Sequence, residues 1–259
     1  MEPQIEETLT LEEVVKTDKV FDNIFTIDSP EVIYWTNLFK DLANIDKMFM
    51  PISEINKSPS LLAATVVGTF WHQFSAMAPK VMCIGAGKLD SNEMRHYVIQ
   101  PIYEELGKRR HQNIHPDKFL DCIREIGIYD EKRLSLIRQY SSRIPLLYLR
   151  NAMETASSDQ EILGIFLGLE INAEENIETL IDSLSYNSII RERVLNSWFF
   201  RVHRVAEEEH TRLNVANFLR FSPTEDQKAQ FKKGFHKSVF FWKKYWEEIS
   251  NVIKLERLV

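Results

Sequence analysis

Along most of the chain, apolar residues recur every three or four positions, and that spacing predicts helices. From Ser29-Pro30-Glu31 a helix starts with proline at its first position, and the apolar positions continue to about Ile55. Ser58 to Met82 is apolar nearly all round, the pattern of a central buried helix. Ser91 opens a helix through Met94, Val98 and Ile102 to Gly107, with Pro101 placed to kink it. Pro116 starts another that ends near Gly127, Asp130 to about Ser142 predicts one more, and Pro145 to Thr155 a short one. Ser157 and Ser158, with Gln160 and Glu161, cap a helix running through Ile162, Phe166 and Leu169 to about Leu184. Ser188 to Leu219 reads as helix throughout, and Ser222-Pro223-x-Glu225 begins the last one. Its stripe of Phe231, Phe235, Val239, Trp242 and Trp246 reads as core packing, and Gly85-Ala86-Gly87 as a loop.

Composition narrows this to an all-α fold. Eight Gly and nine Pro in 259 residues are about half the usual share, too few for the turns of a sandwich, a barrel or a βαβ array. No repeat or linker divides the chain, so one helical domain over 29–259 is expected after an extension of residues 1–28, whose capping box Thr10-x-x-Glu13 predicts one short helix. The net charge of −6, with short basic runs such as Lys108-Arg109-Arg110 read as solvated faces, argues against nucleic acid. The acidic N-terminus does not resemble an export signal, and the longest apolar stretch, Leu61 to Trp71, is too short to span a membrane. Cys83 and Cys122 stand alone, without thiolate metal spacing, which fits a reducing cytoplasm. Trp198, Trp242 and Trp246 could supply the surface of a homodimer.

The chemistry concentrates in three segments. In Trp198 to Leu213, His203, Glu207 and His210 fall at i, i+4 and i+7 and so present three metal-competent side chains on one helix face. Phe199, Ala206 and Leu213 interleave with them, which turns that face inward; the alternative is an exposed polar stripe. Glu170 lies inside the apolar stripe of its own helix, where a lone carboxylate is costly unless paired or bound. Glu174, one turn on, is a substitute or co-ligand, and Arg201 or Arg204 could instead pair with Glu170. In the third segment Glu105 continues the Met94, Val98 and Ile102 face, while His115 precedes a proline-started helix. The six residues suit two metal ions within a helical bundle. Oxygen and nitrogen donors without thiolate favour iron or manganese over structural zinc. A second assignment, Glu93-x-x-His96 with Glu207-x-x-His210, would spell a ferritin-like pattern but leaves His203, Glu105 and His115 unexplained.

Tyr103-Glu104-Glu105-Leu106-Gly107, then His115-Pro-Asp-Lys-Phe119, then Gly168-Leu169-Glu170, then His203-x3-Glu207-x2-His210 resemble the haem-oxygenase-like di-iron oxidases and oxygenases. These are relatives in fold of thiaminase II and pyrroloquinoline-quinone synthase. The stretch Phe70-Trp71-His72-Gln73-Phe74 to Pro79-Lys80 is similar to the family's first core helices, and the likeness spans roughly residues 60–250. The resemblance implies a haem-oxygenase-like bundle of about seven to nine helices. It also implies that Glu105, His115, Glu170, His203, Glu207 and His210 hold two Fe(II) ions that use dioxygen on a small amino-acid-like or acyl substrate. N-oxygenation, desaturation and oxidative carbon–carbon cleavage are the reactions such a family carries out, and homodimers are common in it.

Three departures accompany the match. The family more often has Asp where Glu207 stands. His111 lies seven residues after Glu104, a spacing also met in the family, so His111 could replace His115. Some members carry an additional Glu in the first core helix, where this chain offers only His72. Glu104 is a candidate substitute ligand beside Glu105, and His72, Tyr103, Arg201 and Arg204 are further candidates for substrate contact. The competing classes are a metal-free relative (a thiaminase-like hydrolase or cofactorless oxidase), a haem-degrading enzyme and a non-catalytic helical partner.

Overall fold

The computed structural model describes residues 27–108, 110–129, 131 and 143–256, with the side chains of residues 143, 205–209 and 256 outside that description. The expected capping box at Thr10 and, apart from residue 131, the helix expected over 130–142 lie outside the described residues. Within them the chain forms α1 (Pro30–Ala43), α2 (Ile45–Asn56), α3 (Leu61–Lys88), α4 (Asn92–Glu105), a 3-10 turn (His111–Asn113) and α5 (His115–Glu125). There follow α6 (Arg143–Glu154), α7 (Asp159–Glu170), α8 (Ala173–Leu184), α9 (Ser188–Asn196), α10 (Trp198–Phe221) and α11 (Glu225–Glu256). The all-α expectation is met among the described residues, and no helix there is long and apolar enough to cross a membrane.

These eleven α-helices exceed the seven to nine expected, because three predicted helices are each broken once. Asn44, a residue that tolerates the left-handed region, sits at φ 51° between α1 and α2. Asn172 leaves helical geometry between α7 and α8. Ser197 is extended and returns its hydroxyl to Val194 O at 2.9 Å, separating α9 from α10. Periodicity does not register such breaks, since one non-helical residue leaves the apolar spacing almost intact. Gly85-Ala86-Gly87 is not a loop but the end of α3: a side chain at Gly85 would meet Met153 at 2.7 Å and Phe166 at 2.9 Å, so this glycine serves close packing.

The core forms around α3, α7, α10 and α11. Phe231, Phe235, Trp242 and Trp246 are all buried, so the aromatic stripe of α11 is packing, as its spacing predicts. Trp71 of α3 stacks on Trp242 and Trp246 at 6.0 and 6.1 Å between ring centroids. Trp242 and Trp246 are therefore unavailable as a dimer surface. Helices α7 and α11 meet most closely where a Cβ at Gly164 would fall 2.0 Å from Phe231 O and one at Gly234 would fall 1.9 Å from Glu161 O. Fully buried Glu161 closes this seam, taking Lys233 at 3.0 Å, Lys237 at 2.6 Å and both the amide and hydroxyl of Ser157 at 2.9 and 2.8 Å. With this seam closed, α7 runs toward the centre of the molecule and ends on Glu170.

Candidate metal centre

Three local features aim side chains at one cavity. The first is the end of α4. Gly107 has φ 84°, and a Cβ there would meet Arg110 O at 2.4 Å, so only glycine fits the turn. The bonds Gly107 N to Glu104 O (2.9 Å) and Lys108 N to Tyr103 O (2.8 Å) close the helix and fold the chain back through the 3-10 turn into α5. His115, the first residue of α5, then places Nδ1 3.1 Å from Glu105 Oε1. The second is α10, which begins at Trp198 and carries His203 and His210 along its inner face. The third is the end of α7, where the Glu170 carbonyl accepts from Thr211 Oγ1 at 2.8 Å and the carboxyl faces the cavity.

Glu104, Glu105, His115, Glu170, His203 and His210 all line this cavity, which holds about 1080 Å³ of space outside protein atoms, part of it open to solvent. Donor atoms of Glu105, His115 and His203 lie within 4.8 Å of one another, close enough to share one ion. Glu104 pairs with the remaining histidine, His210 Nε2 standing 2.7 Å from its Oε2. Much of the remaining wall is apolar, with Trp71, Phe74, Phe199 and Trp242 prominent.

Electrostatics in the cavity are those of carboxylates short of cations. Burial pushes Glu170 up to about 7, with Glu105 and Glu104 adding to the rise and His210 opposing it. Burial also works against ionisation of Glu104, but the His210 hydrogen bond and charge, with Lys108, overcome it and hold that carboxyl at about 2. For Glu105 burial is likewise overcome, here by His115 and His203, and its pKa is lowered. His203 is held down to about 4 by burial and by neighbouring His115. His203 Nδ1 lies 2.8 Å from Phe199 O, and donation to that carbonyl leaves Nε2, 4.0 Å from Glu105, to face the cavity with its lone pair.

Other residues singled out in the sequence lie elsewhere. Glu207 follows His203 by one turn of α10, and its side chain lies outside the described residues. His111 is exposed in the 3-10 turn, so His115 is the histidine of this segment that reaches the cavity. Glu174 is exposed and faces Lys40 at 3.6 Å, because the break at Asn172 removes the one-turn relation to Glu170 that a continuous helix would give. Tyr103 is exposed, about 100° around α4 from Glu104. Arg201 and Arg204 are exposed on the outer face of α10, Arg204 pairing with Glu178 at 3.3 Å, and so neither neutralises Glu170 nor lines the cavity. His72 is half-buried on α3, off the face formed by Trp71, Phe74, Ser75 and Ala78. The ferritin-like alternative fails on geometry, since Glu93 pairs with Arg220 and His96 is exposed, both away from the cavity.

Glu104 is more than the substitute that the sequence suggests. Successive helix residues point about 100° apart, which predicts one inward and one outward glutamate. Both face the cavity because α4 ends where α5 and α10 converge, Glu105 meeting His115 and Glu104 meeting His210. Lys108, read from the sequence as part of a solvated basic face, instead turns into the cavity wall with its side chain 16% exposed, and Asn113 and Asn176 beside it carry no sequence signal of their own.

A family model described as iron-containing redox enzyme matches residues 65–243, a span that begins in α3, ends in α11 and contains every residue of the cavity cluster. The chain belongs to this family. No curated protein matches the sequence. Among solved structures, the chain is similar to a CADD-like protein of unknown function from Nostoc punctiforme PCC 73102. One structure of it, at 2.00 Å, gives a TM-score of 0.70 at 14% identity over 86% of this chain and 99% of that one. Another, at 1.35 Å, gives 0.68 at 15% identity over 89% and 99%. At such identity the likeness is one of fold, and the haem-oxygenase-like helical fold is present in this iron-containing redox enzyme family member.

Proposed function

We propose that this protein is a non-haem di-iron enzyme that uses dioxygen to oxidise a small amino-acid-like or acyl substrate. The observation that carries this reading is the convergence of three carboxylates and three imidazoles, from α4, α5, α7 and α10, on one largely apolar cavity. The donor set fits iron: it is all oxygen and nitrogen, and the His203 tautomer leaves a ring nitrogen directed inward. Glu105, His115 and His203 would hold one ion, and Glu104, Glu170 and His210, joined by Glu207, the other. An iron pair, when bound, supplies the redox equivalents for activating dioxygen. The apolar walls from Trp71, Phe74, Phe199 and Trp242 keep bulk water from the reacting groups. The hydrogen bond from His203 to Phe199 O holds the imidazole in one tautomer and orientation.

A thiol-based hydrolase is disfavoured, because neither cysteine lines the cavity and burial pushes Cys122 up to about 11. To test the reading, metal-free protein is loaded anaerobically with Fe(II), assayed for iron and then exposed to dioxygen. About two irons per chain and oxygen uptake with a transient visible chromophore are expected. Less than one iron per chain, or oxygen uptake unchanged in a His203→Ala/His210→Ala variant, overturns it.

A further inference from the structure

The loop between α4 and α5 contributes two polar side chains to the cavity that metal binding does not use, Lys108 and Asn113. Asn113 is only 3% exposed, and its Nδ2 amide has no hydrogen-bond partner among the described residues. A buried donor without an acceptor is destabilising, and an acceptor oxygen on a molecule occupying the cavity removes that cost. Lys108 is the one Lys or Arg among the described lining residues. Its Nζ forms an ion pair with Glu104 Oε1 at 3.5 Å, and the other Glu104 oxygen takes His210 at 2.7 Å. Its backbone sits at φ 54°, a region that side chains other than glycine rarely occupy, and is pinned there by the 2.8 Å bond to Tyr103 O. Two divalent ions would balance Glu104, Glu105, Glu170 and Glu207, and Lys108 then gives the cavity one excess positive charge. The wall opposite in character is aromatic: Trp71, Phe74, Trp198, Phe199 and Trp242.

We propose that Lys108 and Asn113 determine specificity by binding the acid group of a carboxylate substrate whose apolar body packs on this aromatic wall. The proposal deepens the di-iron reading and rests on it only for the reaction that follows binding. Its test uses 4-phenylbutyrate and the neutral 4-phenylbutanamide, with binding to the full chain followed by tryptophan fluorescence and calorimetry, both iron-free and Fe(II)-loaded without oxygen. The acid should bind at least about tenfold more tightly than the amide, and Lys108→Met should bring that ratio close to one. Asn113→Asp, nearly isosteric, should weaken binding of the acid more than about tenfold at unchanged iron content, with a lower melting temperature from the buried charge. Equal binding of acid and amide overturns the proposal, as does a preference that needs iron but ignores both substitutions. A protein that takes up no iron yet keeps a preference dependent on Lys108 sinks the di-iron reading and leaves the anchor standing. Full iron loading without any preference does the reverse. Should Asn113→Asp misfold, Lys108→Met decides.

Discussion

Glu161 and Glu170 stand near opposite ends of one helix, the first fully buried and the second half-buried at the cavity, and their surroundings treat them in opposite ways. Around Glu161 burial opposes ionisation, but Lys237, the two Ser157 donors and Lys233 overcome it and hold the carboxyl at about 2. Around Glu170 burial goes uncompensated: two further glutamates share the cavity and the cationic help comes from an imidazole, so the carboxyl rises to about 7. The first is a carboxylate whose counter-charges are built into the neighbouring helix, and it closes the seam between α7 and α11. The second has counter-charges too few for the acids around it, the condition in which a bound cation stabilises a site. Burial of an acid alone does not mark a functional site. The missing counter-charge does.

The largest expected contrast is in metal. Glu170→Ala should bring iron from about two per chain to one or fewer and slow oxygen uptake by about 100-fold or more, whereas Glu161→Ala should leave both nearly unchanged. Elemental analysis and an oxygen electrode measure this, and the reverse result inverts the comparison. Stability should show the opposite ranking. Glu161→Ala removes the acceptor of both Ser157 donors and the partner of two lysines that stay partly in water, and costs on the order of 1–3 kcal/mol in urea unfolding, while Glu170→Gln in iron-free protein at neutral pH should be stabilising.

The pH dependence separates the two residues by sign. For Glu161 the folded pKa is depressed to about 2 from an ordinary 4.5, so its contribution is present above 4.5 and is lost as pH falls toward 2. For Glu170 the folded pKa is raised to about 7 from 4.5, so iron-free protein loses stability as pH rises from 4.5 through 7. Unfolding of iron-free wild type and Glu170→Gln across pH 4 to 8 should therefore give curves that diverge as pH rises and run parallel above about 7. A constant gap between them would falsify the assignment of this slope to Glu170. The smallest effect belongs to Arg204→Ala, which removes a half-exposed ion pair with Glu178. It should change stability by less than about 1 kcal/mol and leave iron content and 4-phenylbutyrate binding alone.

Much of this was legible in the chain. The inward face of His203 and His210 follows from their seven-residue spacing among Phe199 and Leu213, and the buried ends of that stripe bear it out. The capping pair Ser158 and Glu161 is found where it was read, with the Ser158 hydroxyl accepting from Glu161 N at 3.2 Å. What the spacing could not supply was the position of breaks. Reading α7 and α8 as one helix put Glu174 next to Glu170, and a single residue, Asn172, sends it to the surface. The Glu104-Glu105 pair had the converse problem: helix geometry argued for one inward residue, and the crossing of two other helices at the end of α4 brings both in.

By itself, then, the sequence determined the all-α class, the core stripes and most of the carboxylates and imidazoles that meet in the cavity, because these depend on side-chain types repeated at the helical period. Only the tertiary structure decided that His115 rather than His111 faces the cavity, that Glu104 meets His210, and that Arg201 and Arg204 point away from Glu170. Those choices depend on where helices stop and which ends converge. Both are set by single residues such as Gly107, Asn172 and Ser197 and by packing between segments far apart in the chain, neither of which leaves a periodic trace.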